Sequence, residues 1–180
     1  MLTIIVPGAE HYDEEQEEFI TVGDYVLELE HSLVSLSKWE SFYEKPFLGG
    51  SDKTNEEVTY YIECMILTTE YPKGLISRLN KANLETINKY INAKRSATWF
   101  TETNNSRNTE IVTSELVYYW MFSATVPLEC ETWHLNRLFT LLRVFSEKND
   151  PKKKKISRAD IARRNEELNA QRRAQLGTSG

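Results

Sequence analysis

The residues that could do chemistry are few, and the best-placed group is a cysteine close to a histidine. Cys130 precedes His134 by one helical turn, and Glu129 and Glu131 flank the thiol. A thiol beside an imidazole is the arrangement of a cysteine nucleophile with its base. However, this spacing arises often by coincidence in helices, and the sequence shows no third group that would orient the base. We therefore interpret both residues as packing residues.

No metal, phosphate or acid–base site is predicted from the other residues. His11, His31 and His134 are far apart, and none is followed by another histidine or cysteine at i+3 or i+4, as a helical metal site would need. Gly49-Gly50 lacks the lysine of a phosphate-binding loop. The paired acids at 14–18 are too densely charged to serve as a tuned acid–base pair. We expect no catalytic, cofactor-binding or metal-binding residue, and a protein that is not an enzyme.

Length and composition are those of one globular domain. The chain has 180 residues, of which 40% are hydrophobic and 27% charged. Arg137 and Arg143 interrupt the most apolar stretch well short of the roughly 18–20 residues of a membrane span. The start MLTIIVPGAEH lacks the basic region of a signal peptide. Cys64 and Cys130 are expected to be reduced thiols, and the protein is expected to be cytoplasmic, with no membrane partner.

Charge is distributed unevenly along the chain. Between residues 1 and 44, eleven acids stand against the one base Lys38, a net charge of −10. Between residues 148 and 180, ten bases stand against four acids, a net charge of +6. Ends of opposite charge can attract other copies of the chain or separate partners, so a homo-oligomer is compatible with the sequence.

Short β-branched runs at the beginning predict a small antiparallel sheet. They are Leu2–Val6, Phe19–Val22 and Tyr25–Leu29, and alternation along the last run predicts one buried face. The acidic stretch Glu10–Glu18 is interpreted as a loop between them. The sequence thus predicts an α+β, mostly α fold, in which the sheet packs on a helical domain.

The helices before residue 92 are predicted from apolar spacing and capping residues. One begins near Ser32 and ends before Pro46. Thr54 and Glu57 form the capping box of the next, which Pro72-Lys73-Gly74 is expected to close. Shorter helical pieces are predicted at Leu75–Leu79 and Leu84–Ile91. Ala97–Phe100 could be a strand, and 101–108 reads as an exposed loop.

Thr109–Glu147 is predicted to be the core, with two helices that meet at Val126-Pro127. Pro127 suits the first position of the second helix, where its missing N–H costs nothing. We expect each helix to bury one face. The expected faces are Ile111, Leu116, Tyr119, Trp120 and Ser123 in the first helix, and Leu135, Leu138, Phe139, Leu142 and Phe145 in the second.

Residues 150–180 are interpreted as a basic linker and C-terminal helix outside the single domain 1–149, of which 1–31 is β-rich and 32–149 mainly helical. The apolar side of this helix is thin, so it is predicted to be mobile or held by a partner. A solvated tail without a task is the plainer alternative. Nucleic-acid binding by KKKKISR is disfavoured, because acids also occur in this region and the whole chain is acidic. The candidate partner-binding residues are Ile161, Arg164, Leu168, Arg172 and Leu176.

The segments SLVSLSKWES, EKPFL, SELVYYWM, VPLECETWHLNRLFTLLRV and RNEELNAQRRAQLGTSG together resemble a family of small tailed-bacteriophage proteins, the tail assembly chaperones and other small tail proteins. The resemblance runs from about Leu29 to Gly180. It implies a non-enzymatic protein, without cofactor, that binds the helical tape-measure protein during virion morphogenesis in the host cytoplasm. The alternatives are a structural tail or neck component that stays in the virion, and a nucleic-acid-binding accessory protein.

Overall fold

A computed structural model describes residues 1–13, 18–49, 52–72, 74–100, 110–149 and 158–176, with side chains except at 9–22 and 174–176. The strands are β1 (Leu2–Val6), β2 (Ala9–Asp13), β3 (Glu18–Val22) and β4 (Tyr25–Leu29). The helices are α1 (Leu33–Tyr43), α2 (Asn55–Met65), α3 (Lys81–Ile91), α4 (Ser114–Ser123), α5 (Leu135–Asn149) and α6 (Arg158–Leu176). Short 3₁₀ turns lie at Ile76–Arg78 and Leu128–Thr132. The predicted mostly α, α+β fold with an N-terminal antiparallel sheet is confirmed.

The strand β1 pairs with β4 in an antiparallel register from Leu2↔Leu29 to Val6↔Tyr25. Ile4 and Leu27 lie on the buried face, whereas Ile5 is exposed, as the strand period of two requires. The strands β2 and β3 form a second antiparallel pair from Ala9↔Val22 to Asp13↔Glu18. The predicted loop Glu10–Glu18 is therefore wrong for residues 10–13 and for Glu18, because backbone pairing between β2 and β3 accommodates polar residues that have little strand propensity. Residues 14–17 of that loop lie outside the described residues.

The first core lies between the inner face of β1–β4 and the helices α2 and α3. Its buried residues include Leu27, Leu29, Trp39, Met65 and Ile87. The helix α2 begins with the predicted capping box, in which Thr54 and Glu57 exchange hydrogen bonds. It does not continue to Pro72 as predicted. The chain leaves α2 at Met65 and runs beside β4, where the Leu67 N–H donates to the Glu28 carbonyl at 2.8 Å, so pairing with the strand ends the helix.

The second core lies between α1, α4 and α5. Its fully buried residues are Leu33, Leu36, Val117, Met121, Leu135 and Leu138. The predicted core Thr109–Glu147 is thus one of two cores rather than the whole. The helix α1 contributes to both, because Trp39 packs in the first and Leu33 and Leu36 in the second.

Three local predictions in the second half of the chain are wrong. The helix α4 buries Ser114, Val117 and Met121, not the predicted face, and Tyr119 is 64% exposed. Its sequence SELVYYWMFS is apolar on nearly every side, so spacing alone did not select the buried face. Pro127 precedes the 3₁₀ turn, and the long helix begins only at Leu135. Ala97–Phe100 is irregular chain rather than a strand.

A buried carboxylate connects α1 to α4. Glu40 accepts a hydrogen bond from the Phe47 N–H at 2.8 Å and another from the Ser114 N–H at 2.6 Å. Ser114 is the first residue of α4, and N–H groups in the first turn have no partner within the helix. Glu40 therefore satisfies two backbone donors that belong to different parts of the chain.

We predict that Glu40→Ala lowers the free energy of unfolding by about 2–4 kcal/mol, because each unpaired buried donor costs about 1–3 kcal/mol. Glu40→Gln should lower the free energy of unfolding less. The amide oxygen of glutamine can still accept from one of the two N–H groups, and only the second loses its partner. Urea unfolding followed by circular dichroism measures both. The control Glu63→Ala, at an exposed position of α2, should stay within about 0.5 kcal/mol of the wild type. Equal effects of Glu40→Ala and the control would contradict the role of Glu40.

Candidate functional site

The cysteine and histidine that the sequence placed close together do not form a reactive pair. Cys130 is buried in the 3₁₀ turn, and burial raises the pKa of its thiol. His134 has both ring nitrogens engaged by the backbone: Nε2 lies 2.9 Å from the Tyr90 carbonyl, and Nδ1 accepts from the Asn136 N–H at 3.3 Å. This matches a neutral imidazole whose proton is on Nε2. A buried thiol of raised pKa without a free base supports the packing interpretation.

A buried polar cluster that the sequence did not reveal lies between the two cores. The ring centroids of His31 and His134 are 5.2 Å apart, and His31 Nδ1 lies 2.5 Å from the Tyr61 hydroxyl. The Tyr90 hydroxyl donates to Glu30 at 2.6 Å, and the Met1 amino group forms an ion pair with the same carboxylate. Within the described ranges, no three His, Cys, Asp or Glu side chains are grouped so as to hold a metal ion. We interpret the cluster as structural.

The candidate partner-binding residues of the last helix differ in their exposure. Ile161 is 46% exposed and Arg172 is exposed, whereas the Arg164 guanidinium lies 4.4 Å from the centre of the Trp99 ring. Leu168 is half-buried, and the side chain of Leu176 lies outside the described residues. The helix α6 thus packs its Arg164 side against the segment before residue 101, and of the four described side chains only Ile161 and Arg172 are exposed.

Between α5, α6 and the segment Lys94–Phe100 lies a pocket of about 620 Å³, which we call the cationic pocket. Its defining residues are Lys94, Trp99, Phe100, Arg143, Arg163 and Arg164. Two acids, Asp160 and Glu167, also line it, so four basic groups face two acidic ones, an excess of two positive charges. The pocket therefore favours an anionic ligand.

A second pocket, of about 610 Å³, lies between the C-terminal end of α4 and α5, and we call it the apolar pocket. Trp120, Phe139, Leu142 and Phe145 give it an apolar lining. Arg143 lines both pockets, so they adjoin across α5. The sequence contained the signal for this surface, because a helix that is apolar on nearly every side must leave part of that surface uncovered at the edge of a domain.

The helix α4, whose last residues line the apolar pocket, also exposes large apolar side chains. Tyr119 is 64% and Phe122 63% exposed, and Leu128 in the following turn is 48% exposed. Grouped exposed apolar residues of this size are typical of protein-binding surfaces. In the described part of the chain, no helix combines the length and hydropathy needed to cross a bilayer.

The buried histidines predict a pH-dependent stability. Burial, together with the neighbouring His134, lowers the pKa of His31 from 6.5 to about 4, and burial also lowers the pKa of His134. Below pH 6.5 the unfolded chain therefore binds protons that the folded chain does not. The stability contributed by neutral His31 is present above pH 6.5 and is lost as the pH falls toward 4.

We expect the free energy of unfolding to fall by about 2 kcal/mol through His31 alone between about pH 7 and pH 5. Urea titrations at several pH values measure this slope. His31→Asn removes the titrating group, so its slope should be shallower than that of the wild type. Parallel slopes for the two proteins would show that His31 does not control the pH dependence.

Comparison with known proteins assigns the chain to no family. The chain matches no protein-family model, no curated protein and no solved structure. The resemblance to small phage tail proteins therefore stays a prediction from the sequence.

Proposed function

We propose that the protein is a non-enzymatic tail assembly chaperone of a tailed bacteriophage, which binds the tape-measure protein in the host cytoplasm during tail morphogenesis. The observation that carries this proposal is the apolar surface of α4 and α5. It combines the apolar pocket with the exposed side chains of Tyr119, Phe122 and Leu128. The family resemblance supplies the identity of the partner.

The shape and chemistry of this surface suit one amphipathic helix. Two helices form the sides of the apolar pocket, and such a groove accepts apolar side chains at helical spacing from a third helix. Trp120 and Phe145 are half-buried at its wall, so a ligand helix can cover the rest of their surface. Aromatic residues in such positions contribute much of the energy of protein interfaces. The resemblance implies a long amphipathic ligand of this kind.

The composition of this surface supports reversible binding of a partner. Its exposed aromatic residues give apolar contact area, while the ion pair of Arg143 with Glu147 (3.2 Å) supplies a polar rim. An apolar centre with a polar rim is typical of non-obligate interfaces. Such a site can keep an apolar segment soluble without holding it permanently.

We predict that Tyr119→Ser combined with Phe122→Ser weakens binding to tape-measure segments by at least about tenfold, because two apolar anchors are lost. Both side chains are largely exposed, so the fold should be retained. Fluorescence anisotropy with labelled peptides that tile the tape-measure protein measures the affinity. Phe42→Ser is the matched control, because Phe42 is 61% exposed on α1. The proposal fails if no tape-measure segment binds, or if the control weakens binding as much as the double variant.

The alternative is a structural component of the tail or neck. It is favoured by the exposed residues of α6, such as Ile161 and Arg172, which a neighbouring subunit could cover. Quantitative mass spectrometry of purified virions separates the two functions. A chaperone should be missing from the virion, whereas stoichiometric copies would establish the structural role.

A further inference from the structure

We propose that the cationic pocket binds the acidic segment Asp13–Glu18 of a second copy of the chain, so that copies associate head to tail. The structure defines the pocket, and the sequence defines the acidic segment. The proposal does not depend on the function proposed above, because it concerns a different pocket and a different partner, although Arg143 lines both pockets.

The first argument is that the pocket presents its guanidinium groups in fixed orientations. The Arg143 guanidinium lies 4.0 Å from the centre of the Phe100 ring, and that of Arg164 lies 4.4 Å from the Trp99 ring. Stacking on an aromatic face restrains the plane of a guanidinium and leaves N–H donors at its edge. These donors match the two oxygens of a carboxylate. The pocket therefore contains two oriented guanidinium groups from different helices: Arg164 has no carboxylate partner among the described residues, whereas Arg143 already donates through Nε to Glu147 and has only its remaining N–H donors to offer.

The second argument is that the pocket is incompletely neutralised. Arg163 pairs with Asp160 at 3.4 Å, and Arg143 pairs with Glu147 at 3.2 Å. Among the residues that the structure describes, neither Lys94 nor Arg164 takes part in an ion pair. An anionic ligand would supply the missing partners of both groups and would lower the excess positive charge between α5 and α6.

The third argument identifies the ligand. The sequence DEEQEE at 13–18 carries five carboxylates in six residues, namely Asp13, Glu14, Glu15, Glu17 and Glu18. It connects β2 to β3, whose last backbone pair is Asp13↔Glu18. The chain thus contains both a dense group of carboxylates and a pocket with two stacked arginines and an unpaired lysine. Complementary charges of this kind guide association and fix its register.

The arrangement has a geometric consequence. The hairpin and the pocket are different surfaces, so the contact between two copies is heterologous. Each added copy offers another hairpin and another pocket, which permits rings or open chains. Because the contact is made largely by charges, added salt must weaken it.

Sedimentation velocity of the full chain tests the proposal with two charge-reversal variants. The pocket variant is Lys94→Glu with Arg164→Glu, and the hairpin variant is Glu14→Lys with Glu15→Lys and Glu17→Lys. We expect the wild type to associate at about 50 mM salt and to dissociate at about 500 mM. Each variant alone should weaken association by at least about tenfold. An equimolar mixture of the two should associate again, because the unchanged acidic segment of the pocket variant can bind the unchanged pocket of the hairpin variant.

The control variant Lys81→Glu with Lys89→Glu changes the net charge as much as the pocket variant, at exposed positions of α3, and should associate like the wild type. Circular dichroism confirms that each variant is folded. Three results would overturn the proposal: a wild type that stays monomeric at low salt, a mixture that fails to associate, or a control as weak as the pocket variant. The first of these results, together with a lower thermal stability of both variants, would place the contact within one chain.

Discussion

The backbone of Glu30–Ser32 holds the two cores of the protein together. On one side, the Glu30 N–H donates to the Met65 carbonyl at 2.8 Å and ties the segment to the end of α2. On the other, the Leu135 N–H donates to the His31 carbonyl at 2.7 Å, and Ser32 forms an isolated β-bridge with His134. Three residues between β4 and α1 thus connect the start of α5 to the sheet. The positions of α5 and of both pockets depend on this connection.

The polar cluster around this segment follows from the same geometry. Where two apolar cores meet, backbone groups that belong to neither sheet nor helix need partners, since unpaired buried groups are costly. His134 Nε2 hydrogen-bonds to the Tyr90 carbonyl, and the Asn136 side chain donates to the carbonyls of Ile91 and Ala93 at 3.0 Å. These side chains connect the end of α3 to the beginning of α5. These hydrogen bonds account for the polarity of the side chains.

Local signals were enough to predict several elements. Short β-branched runs predicted β1 and β4 with the bounds that the structure shows, and the Thr54–Glu57 capping box predicted the start of α2. The end of α2 was missed because pairing with β4 determines it, and this contact is not encoded locally. The buried face of α4 was missed because its sequence is apolar on nearly every side. In both places tertiary contacts decided between structures that the local sequence allows.

The candidate site was harder to predict than the fold. The last helix was selected for its charge and its thin apolar side, and Arg164 indeed lines a pocket. The contacts that make this pocket, Arg143 with Phe100 and Arg164 with Trp99, join residues that are distant along the chain. The apolar pocket likewise combines residues from the end of α4 with residues of α5. Neither arrangement has a signature in residue spacing, because each depends on how elements pack.

The position of Arg143 between the two pockets has a thermodynamic consequence. Its side chain forms part of the wall of both. A ligand that reorients this guanidinium in one pocket changes the shape and charge of the other, so the two binding free energies are coupled. Such coupling is reciprocal: whatever factor one ligand imposes on the affinity of the second, the second imposes on the first. The sign of the coupling depends on whether both ligands favour the same rotamer of Arg143.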